Sequence, residues 1–261
     1  MKHPAQQHGF TLIELVFVLI IVAIVGIGIS SFMRATVLQY SEFVSRSKLI
    51  NDSSFIVERM AREIKHAIPN SIRVSGNSNS HCLEFVPSKW ATTYTALPMQ
   101  PSSETEVDVI RMADINNATF LPTAASDYAF VYPMESADIY DGTRNKRQMI
   151  TACSDDGDGD CATDDDSDNI IQLSVANAFT QSSPASRLYI GSSAVSYCVR
   201  NQQVYRHTGA LDATQTIFTS GGVLMAQNIA NTLSSNPAAQ TGASDDPFRW
   251  YEMSLRRNAY S

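Results

Sequence analysis

Gly9-Phe10-Thr11-Leu12-Ile13-Glu14-Leu15 decides the fold, because it joins a short basic leader to a long apolar run. Between residues 15 and 33 no side chain carries a charge. A run of that length crosses a bilayer as a helix. Glu14 stands at its mouth, and a carboxylate inside an apolar helix costs roughly 2.5–3.5 kcal/mol on insertion scales. Such a residue needs a purpose and a partner. An ordinary secretory signal carries its small-residue cleavage site after the apolar stretch. Here the small residue at the junction is Gly9, and it comes first.

Downstream, helical periodicity continues. Apolar or small residues recur in steps of three and four at Val37, Tyr40, Val44, Ser47, Ile50, Ser54, Val57, Ala61, Ile64 and Ile68. Glu42, Arg46, Lys48, Asp52, Glu58, Arg62 and Lys65 occupy the other face. No glycine or proline falls between residues 30 and 68, and Pro69 ends the pattern. The spacing predicts one helix over 10–68, apolar in its first half and amphipathic in its second.

After Pro69 the pattern changes to short strands, expected at 72–74, 82–86, 107–112, 128–132, 170–175, 188–190, 195–200, 203–206 and 249–255. Asn201-Gln202 reads as the turn of a hairpin. Residues 222–233 read as a short helix and 234–246 as a loop. The fold class is α+β: a long N-terminal helix whose apolar half protrudes and whose amphipathic half packs on an antiparallel β-sheet domain. The segments are a leader (1–9), a transmembrane helix (10–33), its amphipathic continuation (34–68) and a β-rich globular domain (69–261).

The junction resembles the class III leader of type IV prepilins and type II secretion pseudopilins: glycine, aromatic, Thr-Leu-Ile and glutamate at fixed spacing before a span. The resemblance implies cleavage after Gly9 by a membrane prepilin peptidase and N-methylation of Phe10. It implies that Glu14 neutralises the amine of a neighbouring subunit's Phe10 during filament assembly. An unpaired charge in an apolar core is expensive and a paired one much less so. Met60-Ala61-Arg62-Glu63-Ile64-Lys65-His66-Ala67 resembles a turn of the larger minor pilins and of J-type pseudopilins. Cys82-Leu83-Glu84-Phe85-Val86-Pro87, with Tyr197-Cys198-Val199 and Val204-Tyr205-Arg206, is similar to the O-type minor pilins of mannose-sensitive haemagglutinin (MSHA) pili. The resemblance implies the type IV pilin fold, an inner-membrane anchor with the N-terminus cytoplasmic and the domain periplasmic, and later entry into the pilus. The implied partners are other minor pilins, the major pilin, the prepilin peptidase and the inner-membrane assembly platform. The alternatives are a secretion pseudopilin and a pilus-associated adhesin. A further edge strand is expected after the last one, so the C-terminus reads as shortened.

Composition agrees with a structural role. Net charge is −7, and eight aspartates fall between residues 154 and 169 with no basic residue among them. The rest of the chain is near neutral and offers no basic nucleic-acid face. The four cysteines are an even count on the exported side of a span, which suggests two disulfides. Cys153 and Cys161 would staple a short local loop, and Cys82 and Cys198 would pair at long range between strands. Other pairings stay open at the level of sequence. Asp156, Asp158 and Asp160 have the one-three-five spacing of a calcium loop, with Asp164 at position nine. Cys161 replaces the turn glycine and Ser167 the bidentate glutamate, two departures that argue against a classical EF-hand. A looser calcium site competes with a solvated acidic loop. No other cofactor is implied. There is no HExxH, GxSxG, Walker or GxGxxG motif, and the expectation is a non-enzyme. Trp90 and Trp250 read as core packing before a carbohydrate surface. Arg62, Glu63 and Lys65 read as a solvated helix face.

Overall fold

The computed structural model describes residues 12–113, 118–155, 160–162 and 167–227. The chain opens with α1 (Leu12–Lys65), one unbroken helix of 54 residues, about 81 Å long at 1.5 Å per residue. Two compact units divide it, Met1–Asn51 and Asp52–Ser261. In the first, α1 is exposed and apolar, with Phe17, Ile20, Val25, Ile29 and Phe32 all open to the surroundings. It is long and apolar enough to cross a membrane, with a mean hydropathy of 3.1 over its most apolar 18 residues.

In the second unit the last turns of α1 bury Ile56 and Met60. The helix stops at Lys65, three residues short of the expected end. The amides of His66 and Ala67 bond back to the carbonyls of Glu63 and Ile64, which tightens the final turn. The amide of Ile68 then turns to the carbonyl of Val86 at 2.8 Å, so a sheet contact takes the donor that would have continued the helix.

The strands follow as β1 (Arg73–Gly76), β2 (His81–Phe85), β3 (Trp90–Ala96), β4 (Glu106–Ile110) and β5 (Tyr128–Val131). A one-turn α2 (Ser136–Tyr140) precedes β6 (Arg147–Ser154). Then come β7 (Ile170–Val175), β8 (Arg187–Gly191), β9 (Ala194–Arg200), β10 (Gln203–Gly209) and β11 (Val223–Gln227). They form two layers of antiparallel pairing. A five-stranded sheet has the order β1-β2-β9-β10-β11, and a closed six-stranded barrel runs β3-β4-β7-β6-β5-β8. The barrel is an insertion, since its two ends join β2 and β9, which are hydrogen-bonded neighbours. Closure leaves the barrel without a free edge. Its core is aliphatic: Val107, Val109, Ile150, Ile171, Leu173, Leu188 and Ile190, with Met112 and Phe179.

The turn between β9 and β10 is the expected hairpin. Asn201 and Gln202 both take positive φ (49° and 60°), as a two-residue turn matched to strand twist requires. Residues 223–227, expected within a helix, instead form β11 against β10. The expected strand at 249–255 and loop at 234–246 lie outside the described residues, as does Trp250. Trp90 stacks on Phe120 with ring centroids 5.3 Å apart and packs against the barrel core.

Candidate assembly site

Two features of α1 define the candidate site. The first is its beginning. Gly9 and Phe10 lie outside the described residues. Glu14 is in the first turn of the helix as described and is exposed. Helix N-termini favour a negative side chain. Around it runs an apolar surface that nothing in the single chain covers.

The second feature is the grip of the sheet on the far end of α1. Ile56 and Met60 pack on Leu83, Phe85, Val195, Tyr197, Val199 and Val204, which alternate on one face of β2, β9 and β10. Phe85 and Tyr197 stack at 6.3 Å. A charge cluster borders this contact. The Nε of Arg206 on β10 donates to both oxygens of Glu63 at 3.2 and 3.1 Å, and Arg59 Nε donates to the same carboxylate at 3.1 Å. Glu63 is therefore not a solvated helix residue; it bonds across 143 positions of sequence to the sheet. Arg62 does behave as expected, pairing with Glu58 one turn away in solvent. The Tyr197 hydroxyl is buried beside Glu63 without a hydrogen bond of normal geometry. Burial first, and then the charge of Glu63, push its pKa up to about 12.

The opposite face of the sheet carries Arg73, Glu84, Ser196, Cys82, Cys198, Arg200 and His207, all at the alternate positions of their strands. Cys82 and Cys198 are direct partners across β2 and β9, joined as a disulfide with Cα atoms 4.1 Å apart, and both are fully buried. Glu84 is buried and held by Arg73 and by the hydroxyl of Ser196. Arg73 also lies over the Tyr140 ring at 3.5 Å. An irregular strap, residues 210–222, crosses this polar face between β10 and β11. Three guanidinium groups hold it by its carbonyls. Arg73 reaches Asp212 and Ala213, Arg147 of the barrel reaches Leu211, and Arg200 reaches Phe218 and Gly221. Phe218 stacks on His207 at 4.2 Å. Burial, and then the charge of Arg200, hold the His207 pKa below its usual value.

Cys153 and Cys161 are joined as a second disulfide at the end of β6. Of the four aspartates with calcium spacing, Asp156, Asp158 and Asp164 lie outside the described residues. Asp160 is exposed, and its carboxylate accepts a bond from the amide of Ala162 at 2.7 Å. Among the described residues no three acidic, histidine or cysteine side chains gather as a metal site.

An apolar helix that opens the chain, followed by an antiparallel sheet domain, defines an α+β protein consistent with the type IV pilin fold. The prokaryotic N-terminal methylation motif matches residues 4–30. Together these support a pilin-like or pseudopilin-like protein, and proteins of that kind are structural. No curated protein and no solved structure matches the chain.

Proposed function

We propose that the chain is a minor pilin that primes or joins a type IV pilus of the MSHA type, most similar to its O subunit. The observation that supports the pilin-like part of this reading is the methylation motif at residues 4–30 on the start of an exposed apolar helix, and the MSHA type rests on the resemblance of residues 82–87, 197–199 and 204–206 alone. In this reading prepilin peptidase cuts after Gly9 and methylates Phe10. The helix waits in the inner membrane with its domain in the periplasm, and Glu14 pairs with the methylated amine of a neighbouring pilin. The apolar surface of α1, uncovered in one chain, is covered by other helices in the filament, where burial stabilises by about 25 cal/mol per Å². A pseudopilin of type II secretion shares every one of these features. Fractionation separates them: the minor pilin is recovered in fibres sheared from the cell surface, and its deletion removes those fibres. Intact fibres with lost protein secretion would favour the pseudopilin. Intact fibres with lost attachment alone would favour an adhesin.

A further inference from the structure

We propose that the strap 210–222 is a gate over the Cys82–Cys198 disulfide, so that thiol exchange at this bond requires the strap to open. Both cysteines have no exposed surface. On one face of the sheet Ile56 and Met60 of α1 close off access. The disulfide lies on the other face, which the strap crosses, bonding to the carbonyl of Cys82 through Gln215.

The strap has no ladder of its own. Its contacts include side-chain bonds to its backbone, a bond from its own Gln215 to the backbone of the face, one ring stack and the burial of Leu211. Gln215 donates its amide to the carbonyl of Cys82 at 2.9 Å, and the hydroxyl of Ser80, 3.7 Å from the Cys82 sulfur, donates to the carbonyl of Phe218 at 3.0 Å. Arg147 and Arg73 hold its first residues and Arg200 its later ones, and Leu211 anchors it in an apolar cluster with Ile68, Phe130 and Tyr140. A segment held by a few polar contacts opens at lower free energy than the sheet beneath it. The structure thus places a low-stability cover over a bond that closes 116 residues of sequence, including the whole barrel.

The chemistry requires access. A dithiol reductant attacks one cysteine sulfur as its thiolate and displaces the other. The mixed disulfide is resolved by the reductant's second thiol. The protein then carries two thiols and the reductant leaves as its own disulfide, two electrons having moved. The reverse, formation of the bond by a disulfide-bearing oxidant, has the same need for an approaching sulfur. Oxidation of Cys82 and Cys198 therefore precedes strap closure, and closure locks the product. The class of partner this implies is a thiol–disulfide oxidoreductase acting on the strap-open chain.

The Cys153–Cys161 bond provides an internal reference in the same molecule, because Cys153 is only half-buried, whereas both sulfurs of the other bond belong to fully buried residues. The experiment uses the full-length protein in detergent, treated with dithiothreitol, quenched by alkylation at intervals and mapped by peptide mass. Cys153–Cys161 should reduce first and Cys82–Cys198 much more slowly. Arg200→Ala removes bonds at one end of the strap, and Gln215→Ala removes its bond over Cys82. Each should speed reduction of Cys82–Cys198, Arg200→Ala by about tenfold or more given the strength of bonds to a charged donor, and leave Cys153–Cys161 unchanged. Gln215→Ala touches a half-exposed side chain and should fold even where Arg200→Ala does not. Global unfolding is followed in parallel by tryptophan fluorescence. Equal rates for the two disulfides in the wild type would overturn the proposal. So would Cys82–Cys198 reduction that tracks global unfolding in the wild type and in Gln215→Ala alike.

Discussion

Replacing Glu63 by alanine tests the grip of the sheet on α1. The carboxylate accepts from Arg206 through both oxygens and from Arg59, and the side chains of Glu63 and Arg206 retain 21% and 24% of their exposure. Exposed ion pairs contribute about 0.2–1 kcal/mol, and breaking a buried pair costs about 3–5 kcal/mol. A pair about four-fifths buried falls between, at roughly 2 kcal/mol. At about 2–4 °C per kcal/mol for a unit of this size, Glu63→Ala should lower the melting temperature by about 4–8 °C. The control lies one turn away. Glu58 pairs with Arg62, but both side chains are largely exposed, so Glu58→Ala should shift melting by no more than about 0.5 kcal/mol. Thermal melting of the full-length protein, as a double-mutant cycle with Arg206→Ala, isolates the pair. A Glu63–Arg206 coupling no larger than that of Glu58–Arg62 would refute the reasoning.

Three further outcomes are expected. Glu14→Val should insert into membranes at least as well as the wild type, since it removes a charge from the apolar segment, yet fail to join fibres; piliation of a deletion strain by this variant, scored by fibre shearing, would remove the charge-pair role. The folded pKa of His207 lies below its unfolded value of 6.5, so the unfolded chain binds the extra proton, and stability falls as pH drops from about 6.5 toward the folded pKa. Melting of His207→Gln should lose this part of the slope below about pH 6.5. Gly222 sits at φ 82° with the His207 ring 2.5 Å from where a Cβ would stand. Gly222→Ala should therefore cost about 2 kcal/mol in chemical denaturation, combining backbone strain and the clash.

The long helix was legible because two signals agree: an uncharged run after Glu14, and steps of three and four ending at Pro69. The strands 82–86, 170–175 and 195–200 were legible as apolar or alternating runs. The failures have separate causes. Val223-Leu224-Met225-Ala226-Gln227 is rich in good helix formers, and pairing with β10 overrides that preference. β6 was hidden by Gln148, a polar residue buried at a core position because its amide bonds to Asn145 and to the carbonyl of Ala178. β3, Trp-Ala-Thr-Thr-Tyr-Thr-Ala, is mostly exposed and threonine-rich, and gains its place by closing the barrel. Barrel closure and the strap rest on pairings between distant residues, which no local pattern encodes. Glu63 was misplaced for the same reason: its helical neighbours were visible, while Arg206 was not. At the candidate assembly site, Gly9, Phe10 and Glu14 were read from the junction motif alone, and the methylation motif found at residues 4–30 spans them without testing the role of each.

In the proposed role the chain is processed before its apolar helix and then carried in the membrane as a pilin-like subunit. Intact-mass and N-terminal analysis of membrane-extracted protein, co-expressed with a prepilin peptidase, tests it directly. The account predicts a mature chain that begins at Phe10 with one methyl group on its amine. A chain that retains Met1, or one that begins after Ser30 or Ser31, would contradict it.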